Sequence, residues 1–125
     1  MSLKITVDHS SSGTTIVLAG RLDTNTAPEL DKTLDRLLIP AAATVRLVFD
    51  LAHLDYLSSA GIRCFIRARK IVEPGGGTVV VVNPQPGVRK VLDIVKAIPE
   101  GGVFTSMAEL DAYLDLMQER VRSGS

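Results

Sequence analysis

Cysteine is nearly absent from this 125-residue sequence, and tryptophan is absent altogether. With Cys64 alone, no intrachain disulfide can form and no thiolate cluster can hold a metal, which points to a reducing compartment, the cytoplasm. Histidine occurs only as His9 and His53, without the spacing of a metal site. No metal or other cofactor is called for. An excess of charge is missing too: 14 Lys and Arg balance 14 Asp and Glu, for a formal net charge of +0. The electrostatic footprint of a nucleic-acid binder or of an anionic-membrane binder is therefore lacking. No apolar run approaches the ~20 residues of a membrane span, and no N-terminal apolar h-region of a secretory signal is present.

What is there argues for a folded, water-soluble domain. The sequence is 46% hydrophobic with a mean hydropathy of +0.23, which excludes extensive disorder. The length suits one domain over residues 1–125, able to bury roughly two-thirds of its unfolded surface. Its core is expected over about residues 3–117, with a frayed tail at 122–125. No repeat or low-complexity linker divides it.

Leu3-Lys4-Ile5-Thr6-Val7 alternates at period two, and Thr14-Thr15-Ile16-Val17-Leu18-Ala19 follows a Ser-rich turn, which predicts a pair of close strands. Thr26-Ala27-Pro28-Glu29 is a capping box with a first-turn proline, and Leu30, Leu34, Leu37 and Leu38 behind it keep helical spacing up to Pro40. A strand over Val45–Phe49 and a helix from about Ser59 to Val72 come next. Pro74-Gly75-Gly76-Gly77 turns the chain into Val79-Val80-Val81-Val82, an apolar run that suits a strand covered on both faces or in the middle of a sheet. An amphipathic helix around Gly87–Val95, a short strand at Val103-Phe104 and a helix opened by Ser106-Met107-Ala108-Glu109 complete the order β-β-α-β-α-β-α-β-α. The class is α/β with a mixed, mainly parallel sheet and about four helices.

The most informative segment joins the third strand to the second helix: Asp50-Leu51-Ala52-His53-Leu54-Asp55-Tyr56-Leu57-Ser58-Ser59-Ala60-Gly61. Two hydroxyls, Ser58 and Ser59, stand where the helix begins. A helix start offers unpaired N–H groups and partial positive charge, and so accommodates a phosphate. A plain N-cap is the blander role for either serine. A serine hydrolase is rejected, because no Gly-x-Ser-x-Gly elbow is present, His53 reads as an exposed loop residue close to the serines, and nothing marks an oxyanion hole. The glycine run precedes a strand and not a helix, so it is not a phosphate loop. Cys64 reads as core.

Taken in order, three segments resemble the STAS domain of bacterial anti-sigma factor antagonists: Gly20-Arg21-Leu22-Asp23, the stretch from Asp50 to Ile62, and the glycine turn with its four valines. The resemblance covers Leu3 to about Met117. It implies the STAS fold and a serine at the start of the second helix that a partner kinase, itself the anti-sigma factor, phosphorylates. The family's usual motif there is Asp-Ser-Ser/Thr-Gly-Leu. With Gly61 on the motif glycine, Ser58 falls on the acid, Ser59 on the acceptor and Ala60 on the second hydroxyl. Ser59 is thus the implied phosphorylation site and Ser58, a departure from the family's acid, the alternative.

The resemblance implies a binding protein and not an enzyme. Unphosphorylated, it would hold a serine kinase/anti-sigma factor of the histidine-kinase-like ATPase type and free a sigma factor. Phosphorylated, it would let go until a phosphatase reset it. Phosphorylation adds about −1.5 to −2 charges and three acceptor oxygens. Burying that group in an interface shaped for a hydroxyl costs several kcal/mol, and only ~2.7 kcal/mol removes affinity a hundredfold. Repulsion from a carboxylate near 5 Å would add about 1–3 kcal/mol. Asp23 and Asp50 are expected beside Ser59 because both are read as following strands; bracing the first helix (Asp23) or a turn (Asp50) is the simpler role for each. The partner-facing set is Asp23, Asp50, Ser58, Ser59, Gly61 and Arg63. Arg63, Arg67 and Lys70 share a helical face suited to an acidic partner surface or merely to solvent. Two rival readings remain: a STAS subunit of a lipid-transport ATPase or stressosome-like scaffold, and a small-molecule sensor.

Overall fold

A computed structural model of the chain describes residues 3–10, 13–38 and 46–97, together with 112, 116, 118 and 119. Four strands and three helices follow one another: β1 (Leu3–Ser10), β2 (Gly13–Leu22), α1 (Ala27–Leu38), β3 (Arg46–Leu57), α2 (Ser59–Val72), β4 (Thr78–Val82) and α3 (Pro86–Ala97). Ala112, Leu116, Gln118 and Glu119 are helical as well. The strand expected at Val103-Phe104 and the start of the last helix lie outside the described residues.

The sheet runs β1-β2-β3-β4. β1 and β2 are antiparallel, Ser10 opposite Gly13, whereas β2–β3 and β3–β4 are parallel, as the crossover helices α1 and α2 require. The alternation in β1 and β2 puts Ile16, Leu18 and Leu22 in the core, each fully buried. Leu30 and Leu34 of α1, and Phe65 and Ala68 of α2, close over Leu47 and Phe49. Phe65 meets Phe49 with ring centroids 4.7 Å apart, tilted by 53°. At roughly 1.5–3 kcal/mol per large apolar side chain buried, this layer supplies most of the drive to fold. No helix among the described residues is long and apolar enough to cross a membrane.

β3 departs from the sequence reading. It continues past Phe49 to Leu57, 12 residues in all, so the segment expected as a loop is strand. It absorbs the extra length in two register shifts against β2, between Val17 and Ala19 and between Gly20 and Arg21. At each shift β3 advances one residue further than β2, the signature of a bulge. β4 departs too: among the described residues it ends the strand order, and its four valines are half-buried instead of covered on both faces.

Candidate functional site

The carboxyl ends of β2 and β3 lie side by side. Leu22 pairs with Leu57, and Ser58 N donates to Leu22 O at 2.9 Å. Asp23 on one strand and Ser58 on the other are therefore the next residues past a shared rung, on strands ~4.8 Å apart. In parallel α/β sheets this end is where ligands and partners are met. Asp23 thus lies where the sequence placed it, beside the serines.

The loop after β2 is held by side chains. Asp23 Oδ1 accepts from Asn25 N at 3.0 Å and from Thr26 N at 3.1 Å. Thr26 Oγ1 accepts from Asp23 N at 2.9 Å and donates to Arg21 O at 2.8 Å. The expected capping box is thereby replaced: Thr26 turns its hydroxyl back into the loop, and Glu29 N reaches Thr26 O instead, at 3.0 Å. Arg21, whose importance the sequence did not reveal, stacks on Tyr56 with its guanidinium carbon 3.9 Å from the ring centre. Its Nε lies 3.7 Å from Asp23 Oδ2. The Asp23 carboxylate is therefore fixed by the loop amides on one oxygen and by Arg21 near the other.

α2 begins at Ser59, as its sequence pattern predicts, with Ser58 at the N-cap. Both serines are only 4% exposed. The Ser58 side chain makes no cap hydrogen bond, and its buried Oγ has no partner among the described residues. Gly61 is buried, and a Cβ there would lie 2.6 Å from both Leu22 Cγ and Leu57 Cδ1. Gly61 is accordingly a packing residue that seats the first turn of α2 on the strand ends.

Asp50 is a second correction. It lies inside β3, opposite Val17 and Val82, roughly 20 Å upstream of Leu57 at ~3.3 Å per strand residue. Its Oδ1 accepts from Ala52 N at 3.1 Å, bracing the first bulge. The turn weighed for it is thus a bulge inside a strand. His53 is exposed, as expected, but on β3 and not in a loop.

On the outer face of α2, Arg67 is committed to α1: it pairs with Asp31 at 3.2 Å and also with Asp35. Arg69 pairs with Glu73 at 3.1 Å. Arg63 and Lys70 are exposed and make no ion pair among the described residues, and Ile66 between them is 43% exposed. The basic face is thus a stripe of Arg63, Ile66 and Lys70 without Arg67. A shallow groove lined by Ile66, Arg69, Lys70, Glu73 and Pro74 sits at the far end of α2 from the serines. Cys64 is core, as expected; burial, with the Asp31 charge adding to it, pushes its thiol up to about 12.

This geometry defines a class: a mixed α/β domain that presents a hydroxyl pair, at a helix start, beside a braced carboxylate. The STAS domain profile matches residues 4–110, and the chain belongs to the STAS domain family. It is similar to an anti-sigma F factor antagonist of Paenibacillus polymyxa, 24% identical over 119 residues that cover 95% of this chain and 96% of the relative. BtrV of Bordetella bronchiseptica, by its name a candidate anti-sigma factor antagonist, is 32% identical over 97 residues, 74% of this chain and 78% of the relative. Among solved structures, unphosphorylated SpoIIAA, an anti-sigma factor antagonist, superposes with a TM-score of 0.62 at 20% identity, covering 73% of this chain and 83% of that one. SpoIIAA has also been solved in its phosphorylated form, again at a TM-score of 0.62.

Proposed function

We propose that this protein is an anti-sigma factor antagonist: a cytoplasmic, non-enzymatic binding protein switched by phosphorylation of Ser59. The observation that carries the reading is the meeting of Ser58, Ser59 and Asp23 at the carboxyl ends of β2 and β3, in a STAS chain whose relatives bear that name. Unphosphorylated, the chain binds a serine kinase/anti-sigma factor of the histidine-kinase-like type and releases a sigma factor. ATP and Mg²⁺ belong to the kinase. Phosphate on Ser59 lies against the first N–H groups of α2, where the helix dipole favours it, and presents the kinase with a dianion next to Asp23. A phosphatase restores the binding form.

The stripe of Arg63, Ile66 and Lys70 runs along the same helix and suits an acidic, partly apolar partner surface. The test is to incubate the protein with ATP, Mg²⁺ and each histidine-kinase-like serine kinase from its genome, and to map phosphate by mass spectrometry. Phosphate on Ser59, absent from Ser59→Ala and accompanied by loss of kinase binding, is the expected result. Phosphate on Ser58 alone would move the acceptor. None at all, with every kinase active on another substrate, would refute the switch.

A further inference from the structure

Past Asp50, β3 has no strand neighbour on its β4 side among the described residues, because β4 pairs only with Arg46 to Asp50. β2 follows it on the other side as far as Leu57. Two glutamine side chains serve the exposed backbone of that edge. Gln85 Nε2 donates to Ala52 O at 2.9 Å. Gln118 Oε1 accepts from Leu57 N at 2.8 Å, and Gln118 Nε2 donates to Leu57 O at 3.0 Å. One side-chain amide thereby makes both of the bonds that a neighbouring strand would make. Gln118 is 3% exposed, and its Cα lies 3.8 Å from where a Cβ on Gly87 would stand. It is wedged between the end of β3 and the first turn of α3.

Leu57 directly precedes the two serines, which are themselves 4% exposed. A hydroxyl buried to that degree must be uncovered before it can attack phosphorus, since transfer needs the nucleophile in line at about 3–3.5 Å. On the β2 side the junction is held by the sheet itself, through Ser58 N on Leu22 O and Gly61 packed on Leu22. On the other side Gln118, from a segment distant in sequence, holds it among the described residues.

We infer that Gln118 is a positioning residue for the Ser58–Ser59 hydroxyls: acting through Leu57, it keeps the β3–α2 junction closed, and phosphoryl transfer proceeds from conformers in which its two bonds have opened. In those conformers the Ser59 Oγ–P bond forms, the bond from the γ-phosphorus of ATP to its bridging oxygen breaks, ADP leaves, and the hydroxyl proton passes to a base of the kinase. The transfer step rests on the switch reading given above; the closed junction does not.

Two variants test it, with amide hydrogen exchange and the Ser59 phosphorylation rate measured for each. Gln118→Met keeps the length of the side chain and deletes donor and acceptor. Protection of the Leu57 to Ser59 amides should fall about tenfold or more, with β1 and α1 unchanged, and Ser59 should be phosphorylated faster by a similar factor. Gln118→Glu gives a signature that packing alone cannot. A neutral carboxyl can accept from Leu57 N and donate to Leu57 O, but a carboxylate cannot donate. Burial and the bond to Leu57 O raise the carboxyl's folded-state affinity for its proton, so the junction stays closed at low pH and opens as pH rises above the ordinary glutamate value of ~4.3. The wild type, compared at each pH, should show no such step.

Unchanged Leu57 protection in both variants would overturn the inference, as would faster exchange without faster phosphorylation. A wild type that takes no phosphate from an active kinase would refute the switch reading and the transfer step with it. The exchange data would still decide whether Gln118 closes the junction.

Discussion

Ser58 stands at the N-cap of α2 with φ −98° and ψ 176°, the extended conformation from which a serine oxygen usually accepts an N–H of the first helical turn. That bond is not made, and the oxygen is buried with no partner among the described residues. Two magnitudes therefore compete when the hydroxyl is removed. Deleting a working serine cap costs about 1 kcal/mol, whereas an unsatisfied buried hydroxyl is itself a burden of about 1–3 kcal/mol. With the cap bond absent, the second governs. Ser58→Ala is expected to leave stability unchanged or to raise it by up to about 1 kcal/mol, read by urea denaturation at constant m-value. A loss near 1 kcal/mol would mean that the cap forms in solution. Ser59, equally buried, is a different case, because the residue does have an interaction in the fold. A side chain kept at a stability cost beside the proposed acceptor is the kind of local inconsistency that marks functional positions.

At the scale of elements, the site depends on how closely α2 sits on the strand ends, and Gly61 sets that distance. Gly61→Ala would gain up to about 1 kcal/mol of helix propensity. Its methyl, however, would enter space held by Leu22 and Leu57, both 0% exposed, at 2.6 Å, and overpacking of this kind costs typically 1–3 kcal/mol. The expected outcome is a net loss of about 1–2 kcal/mol in thermal or urea unfolding; a gain would mean that the two leucines yield. The sequence revealed that glycine as part of a motif but not its neighbours, since contacts between elements leave no local signal. The same limit explains β3. Its burial alternates on Leu47, Phe49 and Leu51, then changes phase to Leu54 and Tyr56, because the bulges insert residues that face no partner. A single period-two pattern therefore does not carry through the segment, which reads as strand only to Phe49, and Asp50 is then taken for a residue at the strand's end. α2 was legible from end to end, because its apolar spacing is uninterrupted and its start is marked by small polar residues. The place of Asp23 was legible because it follows a strand and adjacent strand ends cluster in such sheets. Gln118 was not: a single glutamine beyond the expected end of the core carries no periodic signal, and its role exists only where a distant strand edge needs two hydrogen bonds.

At the scale of the molecule, the balance of 14 basic and 14 acidic residues decides what a phosphate can do. No broad field attracts or repels the partner, so the proposed switch acts through the few groups around α2's first turn. Two local mechanisms compete, the desolvation of a dianion in an interface and its repulsion from carboxylates such as Asp23. Desolvation costs several kcal/mol, against about 1–3 kcal/mol for one carboxylate near 5 Å. In the proposed switch the helix N-terminus offers its N–H groups to the phosphate once the junction has opened, so the secondary structure need not change. Salt separates the two terms, because raising it from 0.1 to 1 M shortens the Debye length from about 10 to 3 Å and weakens repulsion while leaving desolvation in force. Enzymatically phosphorylated protein is therefore expected to bind its kinase at least a hundredfold more weakly than the unmodified form at 0.1 M salt, with an unchanged far-ultraviolet circular dichroism spectrum. At 1 M salt most of that difference should persist, measured by calorimetric titration of both forms against the same kinase. Recovery of most of the affinity at high salt would assign the switch to charge repulsion and make Asp23→Asn the variant that weakens it.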